Sequence, residues 1–290
     1  MHLVTVLDIL IGGVLIGGIY ALIAMGLSLQ YGVSRVLNVS HGEFIMLGAF
    51  ATWVLYTTLG INPLISLVIV GPIIFVIGYL LHRTLFRSLL KSSPSLPAFE
   101  GSSLLATFGL LYIIQNIAII VWGSSSKGYT FLASPVNLGG AIFAANRLVT
   151  LGFAIGIGLA FYIFLARTRM GKAIRAASQD PAAAGLMGVN INQVLALCFG
   201  LGTLLTGLAG VLYSMCFSIQ ATMGLGFTII AIIVVVLGGL GSIPGSFLGG
   251  FILGIIGQIV TYFEPSLSLA AYYLIFILLL LVRPKGILGK

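Results

Sequence analysis

Apolar runs of membrane-spanning length recur along almost the whole chain, at about residues 8–30, 38–59, 61–82, 102–122, 148–166 and 192–216. A helix needs roughly 20 mostly apolar residues to cross about 30 Å of hydrocarbon, so each run can span a bilayer once. The stretch from Gly226 to Val282 is equally apolar but is punctuated by GGLGSIPG at 238–245 and FEPS at 263–266, which predicts three shorter crossings separated by tight turns. The sequence thus predicts an all-α polytopic membrane protein with about eight or nine transmembrane helices, nine on this count, in a single transmembrane domain over residues 1–290. With 60% hydrophobic and 6% charged residues, it cannot be an ordinary soluble domain, which carries about 25% charged residues. Met1–Asp8 lacks the basic stretch that precedes a cleavable leader, so no removable segment is expected.

The net charge of +8 is a topology signal rather than a sign of nucleic-acid binding, because lysine and arginine concentrate in cytoplasmic loops. Arg35, Arg83, Arg87, Lys91, Arg167, Arg169, Lys172, Arg175, Arg283, Lys285 and Lys290 fall on one side if crossings alternate, and only Lys127 and Arg147 fall opposite. This distribution predicts an external N-terminus and a cytoplasmic C-terminus. Small-residue pairs four apart, Gly13 with Gly17, Gly152 with Gly156, Gly245 with Gly249 and Gly250 with Gly254, suit close helix packing in lipid. Cys198 and Cys216 lie 18 positions apart in one run, about 27 Å along a helix, too far to pair.

One connection on the basic side is long and of mixed polarity, at about 167–191. Within it, Asp180 followed by Pro181 is a helix start: the carboxylate can accept from free N–H groups, and proline at the first position loses no hydrogen bond. Gly188 can close that helix in a left-handed conformation, giving a short element over roughly Pro181–Met187 with an alanine-rich surface suited to close docking. A plain surface turn would use the same residues. Lys172, Arg175 and Arg169, just before it, are expected near lipid headgroups.

The stretch RVLNVSHGEF places Asn38, Ser40, His41, Gly42 and Glu43 at the mouth of an apolar run. A buried carboxylate is costly in a membrane and needs a partner, water or a proton. Two compatible roles follow. The segment can be the interfacial start of the second crossing, capped by Ser40 or Asn38 with Glu43 near the helix N-terminus, or it can line a translocation path or gate. A proton relay between His41 and Glu43 is disfavoured, because adjacent-but-one residues of a regular helix point about 200° apart. The glycine-rich stretch 238–250 is either a tight hairpin or a broken helix beside the path.

The chain shows no chemistry of its own. A phosphate-cradling loop of the Gly-x-x-x-x-Gly-Lys-Ser/Thr type is absent, and no metal-ligand or serine-nucleophile pattern accompanies the three histidines.

Three stretches carry a resemblance: RAASQDPAAAGLMGVNINQVLALCFGLGTLLTGLAGVLYS, NVSHGEFIMLGAF and GGLGSIPGSFLGG are similar to segments of the permeases of branched-chain amino acid ABC importers, of the Liv H type. The resemblance implies that Asp180, Pro181, Ala182, Ala183, Ala184, Gly185 and Gly188 form a coupling helix that seats on a separate ATP-hydrolysing subunit. It further implies a homologous second permease, ABC ATPase subunits that hold ATP and magnesium, an extracytoplasmic substrate-binding protein, and a bacterial plasma membrane location, with no cofactor in this chain. Leu, Ile or Val would be the cargo, with urea, short amides or aromatic acids as relatives' alternatives. A stand-alone carrier or channel driven by an ion gradient is the competing class.

Overall fold

The computed structural model describes residues 2–138, 140–283 and 286–289, which leaves Lys285 and Lys290 of the charge argument outside the described residues. The chain opens with α1 (His2–Ser34), followed by a 3-10 turn at Val39–Gly42, α2 (Glu43–Leu59), α3 (Pro63–Leu81), a π turn at His82–Phe86, α4 (Arg87–Ser92) and α5 (Leu96–Trp122). A two-stranded antiparallel hairpin, β1 (Pro135–Leu138) and β2 (Ala141–Ala144), precedes α6 (Ala145–Arg167). Then come α7 (Arg169–Gln179), α8 (Pro181–Leu186), α9 (Ile191–Ser214), α10 (Gly224–Gly238), α11 (Ile243–Phe263) and α12 (Ser268–Val282).

Polar residues at the helix starts accept hydrogen bonds from free N–H groups, which sets the boundaries. Asn62, Ser95, Asn190 and Ser242 cap α3, α5, α9 and α11 through Leu64, Ala98, Gln193 and Gly245 respectively. Among the described residues, eight helices are long and apolar enough to cross a membrane; α3, the π turn and α4 form one of them. The ninth crossing expected from the sequence is α10, whose 15 residues reach only about 22 Å. Its shortness reflects where it starts. The chain drops from the end of α9 through irregular backbone at 217–223 before α10 begins.

The most buried spanning helix is α9, which forms a central post against α1, α2 and α3. The glycine pairs of α1 and α11 meet each other: a Cβ on Gly13 would lie 2.5 Å from the Ile255 Cα, and one on Gly254 would lie 2.5 Å from the Gly17 Cα. Backbones this close gain van der Waals contact that no larger residue would permit. Gly152 and Gly156 of α6 do not serve this way, since a Cβ at either would meet nothing within 4 Å. The stretch 238–245 is a tight turn, with Gly239 and Gly241 at positive φ and Ser242 starting α11. Leu237 and Gly238, at the end of α10, accept hydrogen bonds from the amides of Ile287 and Leu288 (2.9 and 3.1 Å).

Candidate functional site

The polar stretch 38–43 leads into the start of α2, with Glu43 in its first turn, but no side chain of the stretch caps that helix. Arg35 takes a left-handed backbone (φ 54°), the chain runs extended through Asn38, and the 3-10 turn lies against the middle of α1. Asn38, Ser40, His41 and Glu43 are all buried. Neither Asn38 nor Ser40 caps a helix: Ser40 Oγ donates to Asn38 Oδ1 (2.7 Å), and Asn38 Nδ2 donates to Gln30 Oε1 (3.3 Å). Irregular backbone is stable at this depth only when protein satisfies its polar groups.

Four helices do so here. The Val39 amide donates to Thr107 Oγ1 of α5 (3.2 Å), and the Gly42 amide donates to Thr228 Oγ1 of α10 (2.8 Å). Thr228 Oγ1 donates in turn to the Val39 carbonyl (2.9 Å). Gln30 Nε2 ties the same region to the Phe199 carbonyl of α9 (3.0 Å). His41 Nε2 lies 3.0 Å from the Ile23 carbonyl and 2.8 Å from Thr206 Oγ1. A carbonyl only accepts, so the proton sits on Nε2, and Nδ1 is left without a hydrogen-bond partner among the described residues.

Glu43 and His41 do not bond to each other, although they lie in a 3-10 turn and the following α2 rather than in the one regular helix that the sequence argument assumed. Both Glu43 carboxyl oxygens are buried and without a hydrogen-bond partner among the described residues. The carboxyl group packs against the Gly224 Cα, so that a side chain at Gly224 would overlap it. Glu43 and Gly224 are the first residues of α2 and α10, so two helix N-termini converge on one carboxyl group, each contributing a positive dipole end. Gly42 packs as tightly, its Cα facing the Gly224 carbonyl.

Sequence reasoning missed Gln30, Thr107, Thr206, Thr228 and Gly224. Each of the four polar residues lies in a largely apolar run, where a polar side chain must find a partner, and that is the signal the sequence offers.

The segment at 167–191 forms two helices. α7 buries Gly171, Ile174 and Ala177. The exposed Arg175 donates to the last carbonyls of α6, at Leu165 and Ala166 (2.5 and 3.3 Å). Asp180 Oδ1 accepts from the Ala182 and Ala183 amides (both 2.9 Å), as its sequence context predicts, with Pro181 at the first helical position. Ala182, Ala183 and Gly185 are exposed, Ala184 is buried, and Gly188 takes φ 85°. Leu186 and Met187 project, 90% and 85% exposed. Only the link Gly188–Asn190 separates α8 and its closing turn from the central post α9.

A bundle of spanning helices interrupted at depth, with polar groups gathered at the break, has the build of a membrane transporter. The chain belongs to the family described as "Branched-chain amino acid transport system / permease component", whose profile matches residues 9–282. It is 30% identical to the high-affinity branched-chain amino acid transport system permease protein BraD of Pseudomonas aeruginosa, over 97% of this chain and 95% of that one. The permease protein LivH of Escherichia coli is also 30% identical, over 96% and 94%. Among solved structures, PsaBC from Streptococcus pneumoniae in complex with Fab shares the fold, with a TM-score of 0.50 at 15% identity, covering 94% of this chain and 91% of that one. The chain is a multi-pass permease component of a transport system.

Proposed function

We propose that this permease imports branched-chain amino acids, sharing its translocation path with a homologous second permease and receiving cargo from an extracytoplasmic binding protein. ATP is hydrolysed in separate ABC ATPase subunits, and α8 is the element on which they act. On this reading α8 faces the cytoplasm, the N-terminus is external and the C-terminus is cytoplasmic, in keeping with the bias of Lys and Arg.

The observation that carries the reading is one of continuity. The exposed Leu186 and Met187 end a turn that leads within a few residues into α9, and α9 carries Thr206 against His41. A rigid helix of 24 residues joins the docking element to the break in the bundle. Movement imposed on α8 reaches the Asn38–Glu43 turn through α9, and the polar turn acts as the gate. The turn suits that role, because a polar segment held by side chains from α1, α5, α9 and α10 depends on where those helices stand.

Reconstitution tests this. The chain, co-expressed with its companion subunits, is expected to accumulate leucine in liposomes only with ATP. Leu186→Asp with Met187→Asp is expected to abolish both ATPase association and uptake. Uptake without nucleotide or companions, driven by an ion gradient, would overturn the proposal.

A further inference from the structure

At the same end of the bundle as α8, a cavity of about 330 Å³ opens between the end of α3 and the start of α9. Tyr79, Arg83, Arg87, Asn190, Asn192 and Gln193 line it. The lining is one-sided in its chemistry: two guanidinium groups, three side-chain amides and a phenol, with no carboxylate.

The local fold explains why these groups meet. In the π turn, His82 and Phe86 are buried, and the Phe86 ring packs tilted against Phe199 of α9, with centroids 4.8 Å apart. Arg83, in the turn, and Arg87, the first residue of α4, each follow one of these buried residues by one position. π turns of this kind occur often at functional sites. The Arg83 guanidinium lies 5.6 Å over the Tyr79 ring, and Arg87 Nε is buried with no hydrogen-bond partner among the described residues. No described carboxylate pairs with either arginine. Across the cavity, Asn190 Oδ1 is occupied in capping Gln193, which leaves its amide nitrogen and the first N–H groups of the 24-residue α9 at the positive end of that helix.

Unpaired guanidinium forks beside amide donors and a helix N-terminus complement an anion rich in acceptor oxygens, of which phosphate is the closest geometric match. The setting indicates its source. Along α3, Ile73, Val76, Ile77 and Leu80 are exposed and form an aliphatic strip that leads to the cavity. Free phosphate has no use for such a strip, whereas a phospholipid has acyl chains to lay on it. We propose that this cavity holds the phosphate of a phospholipid headgroup, with the acyl chains along the exposed face of α3. Asn190 stands two residues beyond Gly188, so a bound headgroup also fixes the junction between α8 and α9 relative to the bilayer.

The test uses the purified full-length chain in detergent, with native mass spectrometry and thermal unfolding as readouts. Phosphatidylglycerol is expected to stay bound and to raise the unfolding temperature. In Arg83→Gln with Arg87→Gln, its apparent affinity is expected to fall about tenfold or more, given about 1 kcal/mol per interfacial basic residue. Arg83→Lys with Arg87→Lys, which keeps charge but loses the fork, is expected to fall between the two and serves as the variant if the glutamine pair does not fold. Equal phosphatidylglycerol retention by the arginine chain and a folded variant would overturn the proposal. So would stabilisation of the wild-type chain by inorganic phosphate with none by lipid, which marks a free-phosphate site. Lost association with the ATPase subunits at unchanged lipid binding would overturn it too, in favour of an acidic protein segment.

Discussion

The hydroxyl of Thr206 lies 2.8 Å from Nε2 of His41, joining α9 to a turn that is 165 positions away in sequence. Thr206 also donates to the Gly202 carbonyl of its own helix (2.8 Å). Removing it leaves the imidazole with the Ile23 carbonyl alone. Thr206→Val keeps the shape and deletes the hydroxyl, so it is expected to cost about 1–3 kcal/mol through one poorly satisfied buried group. If α9 drives the gate through this contact, uptake falls more steeply than stability does. Parallel thermal unfolding and leucine uptake in Thr206→Val and Thr206→Ser, with serine retaining most activity, check this; equal uptake in all three proteins would refute the drive through Thr206.

The glycines at the break give a sharper steric prediction. A Cβ on Gly42 would run into the Gly224 carbonyl and lie 2.8 Å from the Thr228 amide nitrogen. Backbone atoms held by hydrogen bonds cannot step aside as a flexible side chain can. Gly42→Ala is therefore expected to destabilise by about 1–3 kcal/mol or more, the range for overpacking a filled interior. Gly156→Ala, inside α6 where a Cβ meets nothing within 4 Å, is expected to be neutral or to stabilise by up to about 1 kcal/mol. Comparing the two unfolding temperatures in one detergent decides the matter.

Much of the fold is legible in local sequence, because span length, helix caps and turns are local properties. Asp180-Pro181 and Gly188 take the roles their chemistry predicts. The site is another matter. Arg35 and the polar string after it look interfacial, since an arginine followed by Asn, Ser, His and Glu is what a headgroup boundary would contain. The structure buries that string among the helices, and Gly42 finds its partner in Thr228, 186 positions later. No periodicity shows such a pairing. The hairpin at 135–144 escaped notice because its strands, four residues each, are too short to establish an alternating pattern. α10 reads as a crossing because its hydropathy is that of one, while its depth is set by the Glu43–Gly224 contact.

Asp180 offers a test that separates capping from charge. Its Oδ1 holds two amides, and replacing such a cap with alanine costs about 1 kcal/mol of local helix stability. Asp180→Asn keeps an acceptor in place and is expected to preserve α8, ATPase association and most uptake. Asp180→Ala is expected to loosen α8 and reduce both, with little change in global unfolding temperature, since α8 is exposed apart from Ala184. Hydrogen exchange at the Ala182 and Ala183 amides reads the loss of the cap directly; unchanged protection there in Asp180→Ala would show that the cap does not hold the helix.

Orientation can be read with a membrane-impermeant maleimide on intact cells. Of the native thiols, Cys198 is fully buried and Cys216 lies just past the end of α9, partly buried beside Thr150. Burial raises the Cys216 pKa, against smaller opposing contributions from the Thr150 hydrogen bond and Arg147. Little thiolate then exists near neutral pH, and because the thiolate is the nucleophile, background labelling of Cys216 is expected to be slow at pH 7 and to quicken as pH rises. Against that background, Ser125→Cys, exposed in the loop before Lys127, is expected to label in intact cells. Met187→Cys, at the exposed end of α8, is expected to label only after permeabilisation. Labelling of Met187→Cys from outside would reverse the topology and leave α8 unable to meet an ATPase in the cell interior.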